Sequence, residues 1–138
     1  TVYSRFVKKW EQNVGVPGKL FIFALGDTIE IEKLMKRPEI VQRIAEVIKR
    51  VAPDAKTILY GSEARGDARP DSDIDLLVLL EGEKRDYKRE DEIYTPLYDL
   101  ELETGVSISP MFVLRKDWEN RPFRTPFYIN VINEGIVL

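Results

Sequence analysis

Residues Tyr60–Val78 read YGSEARGDARPDSDIDLLV, and their order sets both the fold class and the chemistry to look for. A Gly61-Ser62 turn leads into a polar segment, then to Asp73 and Asp75 at the head of a hydrophobic strand. Side chains alternate along a strand with period two, so the two carboxylates are expected on one face. Gly61 lacks a Cβ, which lets the backbone turn sharply and a phosphate come close. Ser62 offers a hydroxyl and a backbone N–H at an expected helix start, where anions are favoured. Two acids at the mouth of an apolar strand are costly to desolvate without a cation. Together they suit one or two Mg²⁺ ions carrying a nucleoside triphosphate, with the metal orienting phosphorus for in-line attack. Alone, Gly-Ser after a strand is an ordinary turn with serine as cap. Alone, Asp-Ser-Asp-Ile-Asp is a solvated strand start or a calcium-like loop. Order and spacing together favour the metal–phosphate reading.

Composition narrows the chemistry further. The 138 residues fit one domain, with 43% hydrophobic residues for a core and 33% charged residues for a solvated surface. With 21 basic and 24 acidic side chains the net charge is -3, which argues against direct nucleic-acid binding. There is no cysteine and no histidine. That excludes disulfides, thiolate zinc sites, cysteine nucleophiles and Ser-His-Asp catalysis. Any metal must be held by oxygen, which points to Mg²⁺ or Mn²⁺. No apolar run approaches the roughly 20 residues of a membrane span. The first residues, TVYSRFVKKWEQNV, lack the apolar stretch of a signal peptide. A cytoplasmic protein is expected.

Outward from the motif, the pattern predicts an α/β (α+β) domain, a small mixed sheet with flanking helices. Pro38 opens a helix whose apolar stripe is Ile40, Val41, Ile44, Val47, Ile48 and Val51, and Pro53-Asp54 ends it. Lys56 to Tyr60 and Ile74 to Leu80 are strands, and the near-continuous apolar run of the second implies cover on both faces. Glu83 to Leu102 is charged but helical in its recurrence of Tyr87, Ile93, Tyr94, Leu97, Tyr98 and Leu102, with Pro96 expected to kink or split it. The three tyrosines are expected to form a helix-packing stripe, with a binding platform as the alternative. Gly105 is the expected C-cap, and Val106 to Leu114 a third strand that Pro110 places at an edge or bulge. Asp117 is expected to cap a short helix, and Pro122 to Asn133 to form a last one, with its aromatics in the core. Tyr3, Phe6, Val7, Trp10 and Val14 suit an amphipathic helix, and the runs from Leu20 to Ile31 suit a hairpin or an arm on another subunit.

Gly61-Ser62, ten intervening residues and then Asp73-Ile74-Asp75 resemble the signature of the polymerase-β-like nucleotidyltransferase superfamily. The longer string GSEARGDARPDSDIDLLV is similar to minimal nucleotidyltransferases, many of them antitoxin partners of helical HEPN proteins. The likeness covers about Ile40 to Leu138, leaving residues 1–36 as an extension ahead of a domain at 37–138. It implies that Gly61 and Ser62 contact the triphosphate of ATP or another NTP, and that Asp73 and Asp75 bind the metal and carry catalysis. It also implies transfer of a nucleoside monophosphate to a hydroxyl, in the toxin–antitoxin pairs a tyrosine of the HEPN partner. So small a core must be completed by a partner or a second copy of the chain. Arg65 is either a phosphate contact or an ion-pair partner of Asp67, Asp71 or another acid, and Arg69 is expected to be structural.

The likeness also implies a third carboxylate on a later strand, where this chain has Ser107 and Ser109. Serine can ligate Mg²⁺ but brings no charge and is a poor base. Glu101 and Glu103 are the acids that could substitute. Two readings therefore stand: an Mg²⁺-dependent transferase, or a catalytically impaired binding module acting as antitoxin or scaffold.

Overall fold

The computed structural model describes residues 35–138, and the expected N-terminal helix and hairpin lie outside them. Among these residues, helix α1 (Pro38–Val51) precedes strand β1 (Lys56–Tyr60), the single-turn helix α2 (Gly61–Arg65) and strand β2 (Ile74–Leu80). Helix α3 (Tyr87–Thr104), strand β3 (Ile108–Leu114), helices α4 (Arg115–Glu119) and α5 (Pro126–Glu134), and strand β4 (Ile136–Val137) follow. The four strands form one sheet in the order β3-β2-β1-β4. β1 is antiparallel to β2 and β4, whereas β2 and β3 are parallel and joined through α3. The expected mixed sheet with flanking helices is therefore found.

β2 is buried on both faces because its alternate residues feed two cores. Ile74, Leu76, Val78 and Leu80 pack with Val41, Ile44 and Ile48 of α1 and Ile93, Leu97 and Leu100 of α3. Leu77 and Leu79 pack on the opposite face with Trp118 of α4 and Tyr128, Val131 and Ile132 of α5. Asp73 and Asp75 have the parity of Leu77, so the motif's carboxylates belong to the α4–α5 side of the sheet. Met35 is buried in the first core.

Several element expectations change. α3 runs through Pro96 as one helix. Proline removes the bond to the Glu92 carbonyl, but Glu92 lies on the exposed side, where water can satisfy that group. The buried stripe Glu90, Ile93, Leu97 and Leu100 holds both halves on the sheet. Tyr87, Tyr94 and Tyr98 point outward instead of packing, as does Leu102. β3 begins at Ile108, and at the sheet edge it tolerates Pro110. Asp117 lies within α4 rather than capping it, since Leu114 holds the N-cap position. α5 starts at Pro126, where the Thr125 hydroxyl accepts the Tyr128 N–H. Tyr128 is buried as expected, but Phe123 is exposed. Strand β4 is too short, at two residues, to leave a period of its own.

Candidate functional site

The Gly61-Ser62 turn and the two aspartates meet at one end of the sheet. Register pairs Tyr60 with Asp75 and Asp75 with Ser109, so three neighbouring strands deliver their ends to one place. Gly61 takes φ +77, a left-handed conformation natural to glycine. A Cβ there would collide with the Asp75 carboxylate, lying 3.3 Å from its Cγ and closer still to Oδ2. Both backbone and space demand glycine. α2 spans only five residues, so it has little macrodipole, and any preference for an anion rests on individual donors. Its end is turned by Gly66, whose N–H donates to the Ser62 carbonyl at 3.0 Å. The Ser62 hydroxyl makes no hydrogen bond to the described residues.

Electrostatics at the aspartates are unfavourable without a cation. Partial burial, then the nearby Asp73 charge, raise the Asp75 pKa; Arg65 opposes this and Glu134 adds to it. The Tyr60 hydroxyl is also pushed up, first by burial and then by Asp75. Asp73 is exposed and accepts a hydrogen bond at 3.1 Å from the Ser109 hydroxyl.

Ser109 therefore stands beside the aspartates, where the motif's relatives are expected to place a third acid. The Ser107 backbone carbonyl accepts the Ile74 N–H at 2.9 Å. Neither acid named as a substitute reaches the site. Glu101 accepts the Ile108 N–H at 2.7 Å, and Glu103 pairs with Arg43 at 2.6 Å between α3 and α1. Among the described residues, no three or more acidic side chains gather as a metal site.

The geometry is that of a strand, a Gly-Ser turn and a two-aspartate strand end on a mixed sheet. Residues 41–138, well over half of the chain, match the family model described as a nucleotidyltransferase domain. The chain belongs to that family. No curated protein matches it. The sheet with its flanking helices is thus a nucleotidyltransferase fold, and its site carries a serine where an acid was expected.

Two parts of this nucleotidyltransferase site were not expected from sequence. The first is a brace from Arg37, just ahead of α1. Its N–H and Nε donate to the two oxygens of Glu63 at 2.5 and 3.3 Å, and Nη1 donates to the Ser72 carbonyl at 2.7 Å. Glu63 is fully buried in α2. One arginine thus ties the Gly-Ser side of the motif to the residue before Asp73. Breaking so buried a pair strands a charge, at a cost of about 3–5 kcal/mol. The second is Glu134, which accepts the Gly61 N–H at 3.1 Å and pairs with Arg65 at 3.1 Å. Arg65 also donates to Asp67 at 3.3 Å, so it makes the ion pairs that were one of the two expectations for it. Among the described residues the Arg69 side chain has no ion pair, and its backbone N–H donates to the Ser72 hydroxyl at 2.9 Å. The Arg37 contact lies 26 residues from its partner and the Glu134 contact 73 residues away, beyond any local pattern. The clue available in sequence was Glu134-Gly135 at the end of an apolar helix.

Proposed function

We propose that this nucleotidyltransferase-fold chain is a binding module whose transferase chemistry is impaired. It keeps a metal–nucleotide site and acts as an antitoxin or scaffold on a helical protein of the HEPN type. The observation that carries this reading is the Ser109 hydroxyl bonded to Asp73 at 3.1 Å, with Glu101 and Glu103 both held elsewhere. Two carboxylates supply part of an Mg²⁺ coordination sphere but not the charge of three. Asp73 and Asp75 would hold the ion, and a bound Mg²⁺ would neutralise phosphate charge. Gly61, Ser62 and Arg65 are the residues for the triphosphate of ATP or another NTP. Asp75 carries a raised pKa among acidic neighbours, which supports a cation at this place.

A transferase acting on a hydroxyl of the partner is the second reading. It is favoured by the tight seating of Gly61 against Asp75, an arrangement that stability alone does not require. Partner binding separates the two roles. In co-purification with a HEPN-type protein, Asp75→Asn is expected to leave the complex intact while reducing Mg²⁺-dependent ATP binding measured by calorimetry. Loss of the complex in Asp75→Asn would tie partner binding to the metal site and count against a module that works without catalysis.

A further inference from the structure

The end of α5 is fixed onto the strand that feeds the Gly-Ser turn. A Cβ on Gly135 would meet Ile58 Cγ2 of β1 at 2.8 Å and would crowd the Val131 carbonyl. Glycine here allows the helix end to lie directly on the sheet. β4 then pairs with β1, Ile136 opposite Leu59. Glu134 ends the helix just before Gly135, and Gly61 follows the last residue of β1, so the seating of the helix end brings the two close. The Glu134 side chain then accepts the Gly61 N–H at 3.1 Å.

Glu134 uses both oxygens. Oε1 accepts the Gly61 N–H at 3.1 Å and Arg65 Nη1 at 3.3 Å, and Oε2 accepts Nη1 at 3.1 Å. Asp67 accepts Nε of the same guanidinium at 3.3 Å. Arg65 is thus held through Nε and through Nη1, and Nη2 makes no hydrogen bond to the described residues. A guanidinium is a rigid planar fork, so fixing two of its nitrogens also fixes the direction of the third. Ser62, next to Gly61, retains a hydroxyl without a partner among the described residues.

We propose that Glu134 is a positioning residue for phosphate binding. It holds the Gly61 turn and orients Arg65 so that Nη2 of the guanidinium serves the triphosphate. This rests on the reading of the site as one that binds metal–nucleotide. The carboxylate is committed to the Gly61 N–H and to Arg65, which leaves Arg65 Nη2 and the Ser62 hydroxyl as the donors for phosphate.

The test is equilibrium titration of Mg²⁺–ATP into the full chain and into Glu134→Ala, Glu134→Gln, Arg65→Ala and the Glu134→Ala/Arg65→Ala double variant, with thermal unfolding in parallel. Glu134→Ala is expected to weaken binding about tenfold to a hundredfold, the scale of losing a charge-assisted hydrogen bond. Glu134→Gln, which keeps one acceptor oxygen, recovers part of that loss. The double variant loses less than the sum of the two single losses, because part of the Glu134 effect passes through Arg65. A purely structural role would lower Tm and leave the dissociation constant of the folded fraction unchanged. Unchanged binding in both Glu134 variants would overturn the proposal, as would tighter binding, which would mean that the carboxylate occupies the anion site. Additive losses in the double variant would overturn it too. Wild-type chain that shows no saturable binding would remove the nucleotide reading itself, an outcome distinct from all of these.

Discussion

Asp75 sits where its charge is unwelcome until a cation arrives. Burial and Asp73 raise its pKa above the ordinary aspartate value. A carboxyl raised on folding contributes stability that is fully present below its unfolded pKa and lost as pH rises through the folded value. At neutral pH Asp75 is therefore a source of strain in the metal-free chain. Asp75→Asn, which mimics the neutral form, should raise Tm at pH 7 by a few degrees without divalent metal. The gain should shrink as pH falls through the raised value towards the ordinary one. Thermal scans from neutral pH down to the ordinary aspartate range, about pH 4, would check this. A gain that grows on acidification would have the wrong sign. The motif residues were legible because their chemistry is local: Gly61 and Ser62 form one turn, and Asp73 and Asp75 share one strand parity. Arg37 and Glu134 were not, because each reaches the site from an element far away in sequence.

At the scale of elements, α3 shows how packing overrides a breaker. Pro96 lies inside the helix, yet α3 runs unbroken from Tyr87 to Thr104. Asp86 caps its start by accepting the N–H groups of Lys88 and Arg89, and Gly105 ends it in the left-handed region. Ile93 and Leu97 anchor the turns on either side of the proline. Pro96→Ala restores the missing N–H and should stabilise the domain by up to about 3 kcal/mol, read from urea unfolding. No gain would mean that the helix bends at Pro96 to suit its packing. The sequence pattern identified the helix but not its face, because Tyr94 and Tyr98 share its periodicity with Ile93 and Leu97. Only the position of the sheet assigns the inner side. The tyrosines stack on each other outside, with ring centroids 6.3 Å apart.

For the molecule as a whole, the sheet works as a wall between two cores, and the site opens where β1, β2 and β3 end. Leu76 and Leu77 are neighbours in sequence but belong to different cores. Leu77→Ala should cost about 2–5 kcal/mol, because close packing leaves a cavity that cannot fully collapse; a denaturant titration measures it. A cost well below 1 kcal/mol would show that the α4–α5 side is loosely packed. That β2 is covered twice could be read from its unbroken apolar run, whereas the pairing of β4 could not, since two residues carry no periodicity. The central claim concerns the end of this wall: a metal–nucleotide site with two acids and a serine. Its most direct test is incubation of wild-type chain and a helical partner with α-labelled ATP and Mg²⁺. The account predicts saturable nucleotide binding with no label passed to protein. Labelled protein that disappears in Asp73→Asn would contradict it.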